Sequence, residues 1–341
     1  FLPGCAAHRK PATPATGAAE AAAAPAPPAD SPPEDSLRDL CRRKADENEP
    51  TLDASRRLLQ ETVCGATLWL DGLFGGEPDV ANARDVSGRL ELSNGYTEHD
   101  GYTPRIRLRV RLDLPTLENR FHLFLGRDNE DDVVQDRQEG FAVRSAFFGL
   151  DEEDTWLAGL GYRPPGKWRQ RIDFRVGGRL RSAPEVYVQG RFRRNHFVGH
   201  RSAWRFRETL FLDNREGFGG TTEIAFDHVP IDQVLMRWSN LGTYSEESEG
   251  LEWGSFGLLY WKASSVNALG FEVFVRGATG AEVPLKELGS RVIFRRPVFR
   301  RWLYGEIVGG YSWPRESLAE NRLGSAQIGV NLEILFGRDP Y

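Results

Sequence analysis

The stretch Arg105-Ile106-Arg107-Leu108-Arg109-Val110-Arg111-Leu112 alternates without a break, arginine at every odd position and an aliphatic residue at every even one. On a strand, residues i and i+2 share a face, so this octapeptide presents arginine on one side and hydrocarbon on the other. A helix would scatter the same residues around its circumference. The device returns in Arg171-Ile172-Asp173-Phe174-Arg175-Val176 and in Glu185-Val186-Tyr187-Val188-Gln189. Thr222, Ile224 and Phe226 alternate with Glu223, Ala225 and Asp227. Near the end, Gln327, Gly329, Asn331 and Glu333 alternate with Ile328, Val330, Leu332, Ile334 and Phe336. From residue 86 onward, strand follows strand with no clear helical segment.

A soluble antiparallel sandwich also alternates. Against it stands the number of arginines, which a protein core would have to pair or leave at great cost. In a closed barrel the charged faces line a wet or salt-bridged lumen and the opposite faces meet lipid. Aromatic spacing agrees. Trp253, Ser255, Gly257, Leu259 and Trp261 share one face. The two tryptophans stand about 26 Å apart along a strand. At a tilt of about 40° that is roughly 20 Å of height, near the apolar band of about 25 Å between aromatic girdles. Trp238, Trp302, Tyr311 and Trp313 also fall near predicted strand ends.

Composition narrows the class. The chain has 341 residues and a formal net charge of -5, without the basic excess of a nucleic-acid binder. Mean hydropathy is -0.47 and no run of eighteen apolar residues occurs, which excludes spanning helices but not spanning strands. The basic charge is nearly all arginine, lysine appearing only at Lys10, Lys44, Lys167, Lys262 and Lys286. Arginine suits fixed bidentate pairing with carboxylates.

The N-terminal region reads differently. Phe1-Leu2-Pro3-Gly4-Cys5-Ala6 resembles the lipobox of bacterial lipoproteins, which implies a lipid on Cys5; a plain N-terminal thiol is the alternative. Residues 1–35, rich in Ala and Pro, cannot bury a core and read as a remnant and tether. Residues 36–80 carry two segments of helical period on either side of Pro50, expected to form a periplasmic hairpin. Cys41 and Cys64 are an even pair, read as a disulfide across that hairpin or as two buried thiols.

Fifteen candidate strands can be counted. Single-chain bacterial barrels have an even number with both termini in the periplasm. Phe141–Leu150 alternates worst, so Arg127–Asp154 becomes one long acidic external loop, where a surface partner would bind. The expected fold is therefore all-β: a closed antiparallel transmembrane barrel of about fourteen strands over residues 86–341, twelve or sixteen remaining open. His196–Ser202 is long for a periplasmic turn. In this alternation and in its C-terminal strand ending on the aromatic Phe336, the chain resembles monomeric bacterial outer-membrane barrels, which places it in the cell outer membrane. It departs from their terminal signal in the residues Gly337-Arg338-Asp339-Pro340-Tyr341 that follow.

The chemistry expected of the interior is charge. Arg105, Arg107, Arg109, Arg111, Arg171, Asp173, Arg175, Arg179, Arg191, Glu223, Asp227 and Glu252 are expected to line the lumen, with Arg181, Arg193, Glu272, Glu306 and Glu333. Such a lining either favours anions or pairs across strands and fills the bore. The functions in order are a channel for small polar or anionic solutes or a secreted polymer, a closed envelope scaffold docking a periplasmic or surface partner, and a lipid-modifying enzyme. For the last, only His200-x-Ser202 and Asp227-His228 offer acid–base pairs. Six histidines lack ligand spacing and no phosphate loop occurs, so no metal, cofactor or nucleic acid is expected. The expected partners are outer-membrane lipid and a periplasmic protein at the hairpin.

Overall fold

A computed structural model describes residues 87–114, 120–129, 131–137, 154–168, 171–179 and 185–337, together with Asp53, Arg57 and Glu61. Cys5, Cys41 and Cys64, the tether, most of the expected hairpin and Phe141–Leu150 lie outside the described residues. Asp53, Arg57 and Glu61 are themselves helical.

Fourteen strands form: β1 (Ser87–Thr97), β2 (Gly101–Asp113), β3 (Phe121–Asp128), β4 (Thr155–Tyr162), β5 (Ile172–Arg179), β6 (Glu185–Val198), β7 (Ser202–Asp213), β8 (Gly217–Ile231), β9 (Val234–Ser245), β10 (Glu252–Lys262), β11 (Ala268–Ala278), β12 (Leu285–Pro297), β13 (Leu303–Pro314) and β14 (Ser325–Gly337). Each pairs antiparallel with its sequence neighbours, and β14 closes on β1 from Ser87↔Gly337 to Thr97↔Gln327. Fourteen strands replace the open choice between twelve and sixteen. Closure leaves no edge to template aggregation. Proline sits where the ladder tolerates a missing donor: Pro230 falls in the irregularity between His228 and Ile231 in the β8–β9 pairing.

Burial is inverted relative to a soluble sheet. Polar residues are buried, among them Glu91, Arg107, Gln189, Thr209, Asn331 and Glu333, while Ile106, Val186, Leu212, Val273, Ile307, Ile328 and Val330 are exposed. The seam between first and last strands has its own apolar cluster, Phe336 with Val110 and Leu112, against which Leu90, Leu108 and Leu123 pack. Gly88 makes room for it: a Cβ there would stand 2.1 Å from the Phe336 ring.

Three expectations are corrected. The His196–Ser202 link is no long turn, because β6 runs to Val198 and β7 starts at Ser202, leaving residues 199–201 with Gly199 at φ 65°. Trp238 lies inside β9 rather than near its end, its indole Nε1 donating to Ser255 Oγ at 3.1 Å. The third concerns the acidic loop. Arg127 and Asp128 complete β3, a π turn follows at Asp131–Gln135, and the described residues enter the lumen instead of standing outside. The loop starts low, since β3, β4 and β5 have only 8 residues each. The β2–β3 ladder begins at Leu108↔Arg127, seven residues into β2.

Candidate functional site

Strand pleat decides which charges face the lumen. Arg105, Arg107, Arg109 and Arg111 stand opposite Ser93, Glu91, Arg89 and Ser87 on β1, all inward. Asp173, Arg175, Arg179, Arg191, Glu223, Asp227 and Glu252 also face inward. Arg171 does not belong to the wall: it is exposed in the turn before β5, its amide bonded to the Trp168 carbonyl at 2.9 Å.

Several charges of the wall meet a partner directly opposite in the ladder, where side chains come closest. Arg207 holds Glu223 at 2.7 Å, and Asp227 lies between Arg205 at 2.9 Å and Arg237 at 2.6 Å. Arg295 meets Glu306 at 3.3 Å and also Glu333. Arg291 approaches Glu272 at 3.8 Å, its guanidinium carbon 4.1 Å from the Phe274 ring centre. Arg179 pairs with Glu185 and lies 3.7 Å from Asp213.

The inserted loop supplies the remaining acids. Arg107, only 1% exposed, is surrounded by Asp128 at 3.7 Å, Asp132 at 3.7 Å and Asp154 at 3.0 Å. Arg109 joins Asp128 and reaches Asp132 at 3.9 Å. Across the bore, Asp136 takes Arg191 at 2.6 Å, Arg207 at 3.4 Å and the Thr209 hydroxyl at 2.9 Å. Its φ of 58° is a left-handed conformation that aspartate tolerates better than most residues. Gln189 Nε2 donates to the carbonyls of Val133 at 3.1 Å and Val134 at 2.7 Å. Val134 is fully buried against Leu157, Tyr187 and Phe211. Arg137 then meets Glu252 on β10. With fourteen strands, β10 is diametrically opposite β3, where the loop begins. The chain therefore enters the lumen from β3 and is seated on β6 and β7, with the Arg137 side chain turned toward β10.

On the periplasmic side of this loop lies a cavity of about 660 Å³, whose lining includes Arg89, Arg109, Arg111, His122, Arg175, Arg295, Glu306 and Glu333, with Asp132 and Val133 of the loop. The two mouths differ in charge. The periplasmic ends and turns carry Arg111, Arg120, Arg163, Arg171, Arg193, Arg194, Arg201, Lys262, Arg296, Arg300 and Arg301 against Asp113, Asp173 and Asp232. The outer turns carry Glu98, Asp100, Glu216, Glu246, Glu247, Glu249, Glu282, Glu316 and Glu320 against Arg215, Lys286, Arg315 and Arg322. Arg193 faces the inner mouth with no ion pair among the described residues. At that rim Arg300 grips Asp53 at 2.8 Å, and hydrogen bonding to that carboxylate holds its pKa above the ordinary value.

The hydrolase candidates separate. His200 sits in the 199–201 turn, and Ser202 Oγ instead meets His228 Nδ1 at 2.9 Å on the outer face. The pleat sends Asp227 to the opposite side, into Arg205 and Arg237, so it cannot orient His228. Among the described residues no group of three or more His, Cys, Asp or Glu could hold a metal ion.

Outside, aliphatic residues are bordered by Trp156, Trp204, Tyr244, Trp253, Trp261, Tyr311 and Trp313. An edgeless wall with charge inside and hydrocarbon outside fits a bilayer and no aqueous compartment. The chain is a bacterial outer-membrane β-barrel. No helix among the described residues is long and apolar enough to cross a membrane. No family profile matches the chain, and no curated protein does. Among solved structures it is similar to the outer-membrane-expressed OmpT of Vibrio cholerae at 13% identity and TM-score 0.39, over 74% of this chain and 97% of that one. It is similar to the KdgM porin in complex with oligogalacturonate at 6% and 0.37, over 72% and 98%. A bacterial polysaccharide outer membrane secretin gives 10% and 0.43, over 74% and 98%. At these values the likeness carries no functional information.

Proposed function

We propose that the barrel is a channel for small anionic solutes, constricted by the inserted acidic loop and fed through an arginine-rich periplasmic mouth. The observation that carries this reading is the loop inserted into the lumen and seated on β6 and β7 through Asp136 and Gln189, with a cavity on its periplasmic side. Surplus cations at one mouth lower the barrier for anions entering there. A narrowed bore favours small solutes over a polymer for as long as the loop is seated.

Planar-bilayer recording tests it. The expected result is unitary currents with a reversal potential shifted toward anions, moving toward cations when Arg111 and Arg193 are both replaced by glutamate. A silent barrel, or a reversal potential indifferent to that double change, sinks the channel. The second reading, a closed barrel serving as an envelope scaffold, is favoured by one observation, the fully paired and buried Arg107 cluster at mid-lumen. It predicts silence in the bilayer and a partner lost when Asp53 and Arg300 are uncoupled.

A further inference from the structure

The lipid face of β7–β9 carries a carboxylate and an amide, one on each side of β8. Glu208 points outward from β7, with Trp204 and Phe206 on its periplasmic side and Leu210 and Leu212 on the other. An ionisable group among lipid-facing apolar residues is expensive and rare. Its carboxylate accepts a hydrogen bond from Thr222 Oγ1 on β8 at 2.7 Å, which leaves most of its capacity as an acceptor unused. Asn240 points outward from β9, between Trp238 and Gly242, and its amide has no hydrogen-bond partner among the described residues. Elsewhere the middle of the outer face is mostly aliphatic or aromatic, as at Leu92, Leu125, Val176, Val273, Val292, Ile307 and Val330; Asn94, Arg127 and Ser290 are also polar, and none of them stands beside a carboxylate two strands away.

We propose that this face is a self-association surface, on which a second copy of the chain packs about a two-fold axis along the membrane normal with the Asn240 amide donating to Glu208. The geometry singles out a second copy. Glu208 and Asn240 flank β8 on opposite sides, and across such an axis β7 of one copy faces β9 of the other. The acceptor of each copy thus meets the donor of its partner, twice over. Height agrees as well. Glu208 pairs with Thr222 and Asn240 with Ile224, a step of two residues, or about 7 Å along the strand. A tilt near 40° takes up roughly 8 Å over two strands, so donor and acceptor stand at one level. Gly220 and Gly242 beside them keep the outer surface low enough for close approach. A lipid headgroup would meet the strand ends, not this level.

The test is photo-crosslinking of the full chain in outer membranes, with a benzophenone side chain in place of Ile224, which lies on the proposed axis. Heat-modifiable mobility reports folding. The expected product has twice the chain's mass, and the same probe in place of Ile307 on β13 gives none. Glu208→Leu, which suits lipid better and leaves the wall intact, is expected to reduce the product roughly tenfold for each lost charge-assisted bond. Exchange of the pair, Glu208→Asn with Asn240→Glu, is expected to restore it. Three results overturn the proposal: no dimer from position 224, equal yield from position 307, or a product with a different protein. An undiminished yield in folded Glu208→Leu overturns the pairing.

Discussion

Replacing Asp136 by alanine should unseat the loop that narrows the lumen. Its carboxylate is fully buried and serves Arg191, Arg207 and Thr209 together. The two arginines respond differently. Arg207 keeps Glu223 at 2.7 Å, whereas Arg191 has no second carboxylate within ion-pair distance among the described residues. Removing one partner of a buried pair costs about 3–5 kcal/mol, because the other charge is left uncompensated. Against that, the seated loop retains the two bonds from Gln189, worth about 0.5–1.5 kcal/mol each, and burial of Val134, worth about 1.5–3 kcal/mol. The loss is comparable to those two terms together and shifts the seated-to-unseated ratio by roughly two to four decades. Single-channel recording should show larger unitary currents and fewer closures than in the parent. Asp136→Ala combined with Arg191→Met removes both charges and should return the currents toward parental size, since replacing a buried pair by apolar groups is often neutral. Identical current histograms for parent and folded Asp136→Ala would refute the assignment of the loop as the constriction.

Other consequences are open to measurement. Phe336→Ala empties the seam cluster and should cost about 3–5 kcal/mol, seen as a lower urea midpoint in vesicles; no shift would mean the cluster does not hold the closure. Gly126→Ala would place a Cβ 2.5 Å from the Leu108 carbonyl oxygen, and backbone cannot yield cheaply. It should cost about 1–3 kcal/mol and reduce the heat-modifiable folded fraction, while an exposed change such as Leu323→Ala should not. Arg300→Ala removes the grip on Asp53 and should speed proteolysis near residue 53 without altering barrel melting.

The strands were legible because each spans a boundary between two solvents. Alternation through Arg105–Leu112 is imposed by lipid on one side and charge on the other, and it survives in a single sequence. Fourteen followed from parity once Phe141–Leu150 was set aside. The inserted loop was illegible for a physical reason. Asp128, Asp132 and Asp136 read locally as a solvated acidic loop, and nothing nearby in sequence reveals that their partners are Arg107, Arg191, Arg207 and Thr209. Local pattern reports which face a residue occupies; it does not report what stands across a lumen. Arg171 was misplaced because the alternation of its segment continues one residue past the point where the strand begins. The hydrolase pairs failed similarly: Asp227 and His228 are adjacent in sequence and therefore on opposite faces.

The seat of the loop also has a chronology. Arg107 and Arg109 precede the loop in the chain, but Gln189, Arg191, Arg207 and Thr209 follow it on β6 and β7, and Glu252 comes later still. A growing barrel therefore has nowhere to put Asp136 until those strands have joined the wall. Until then the bore lacks the contacts that narrow it. Leakage of solutes too large for the finished channel should accordingly peak during its own biogenesis, and mutants that delay β6 and β7 should be more toxic to the envelope than mutants that abolish the barrel.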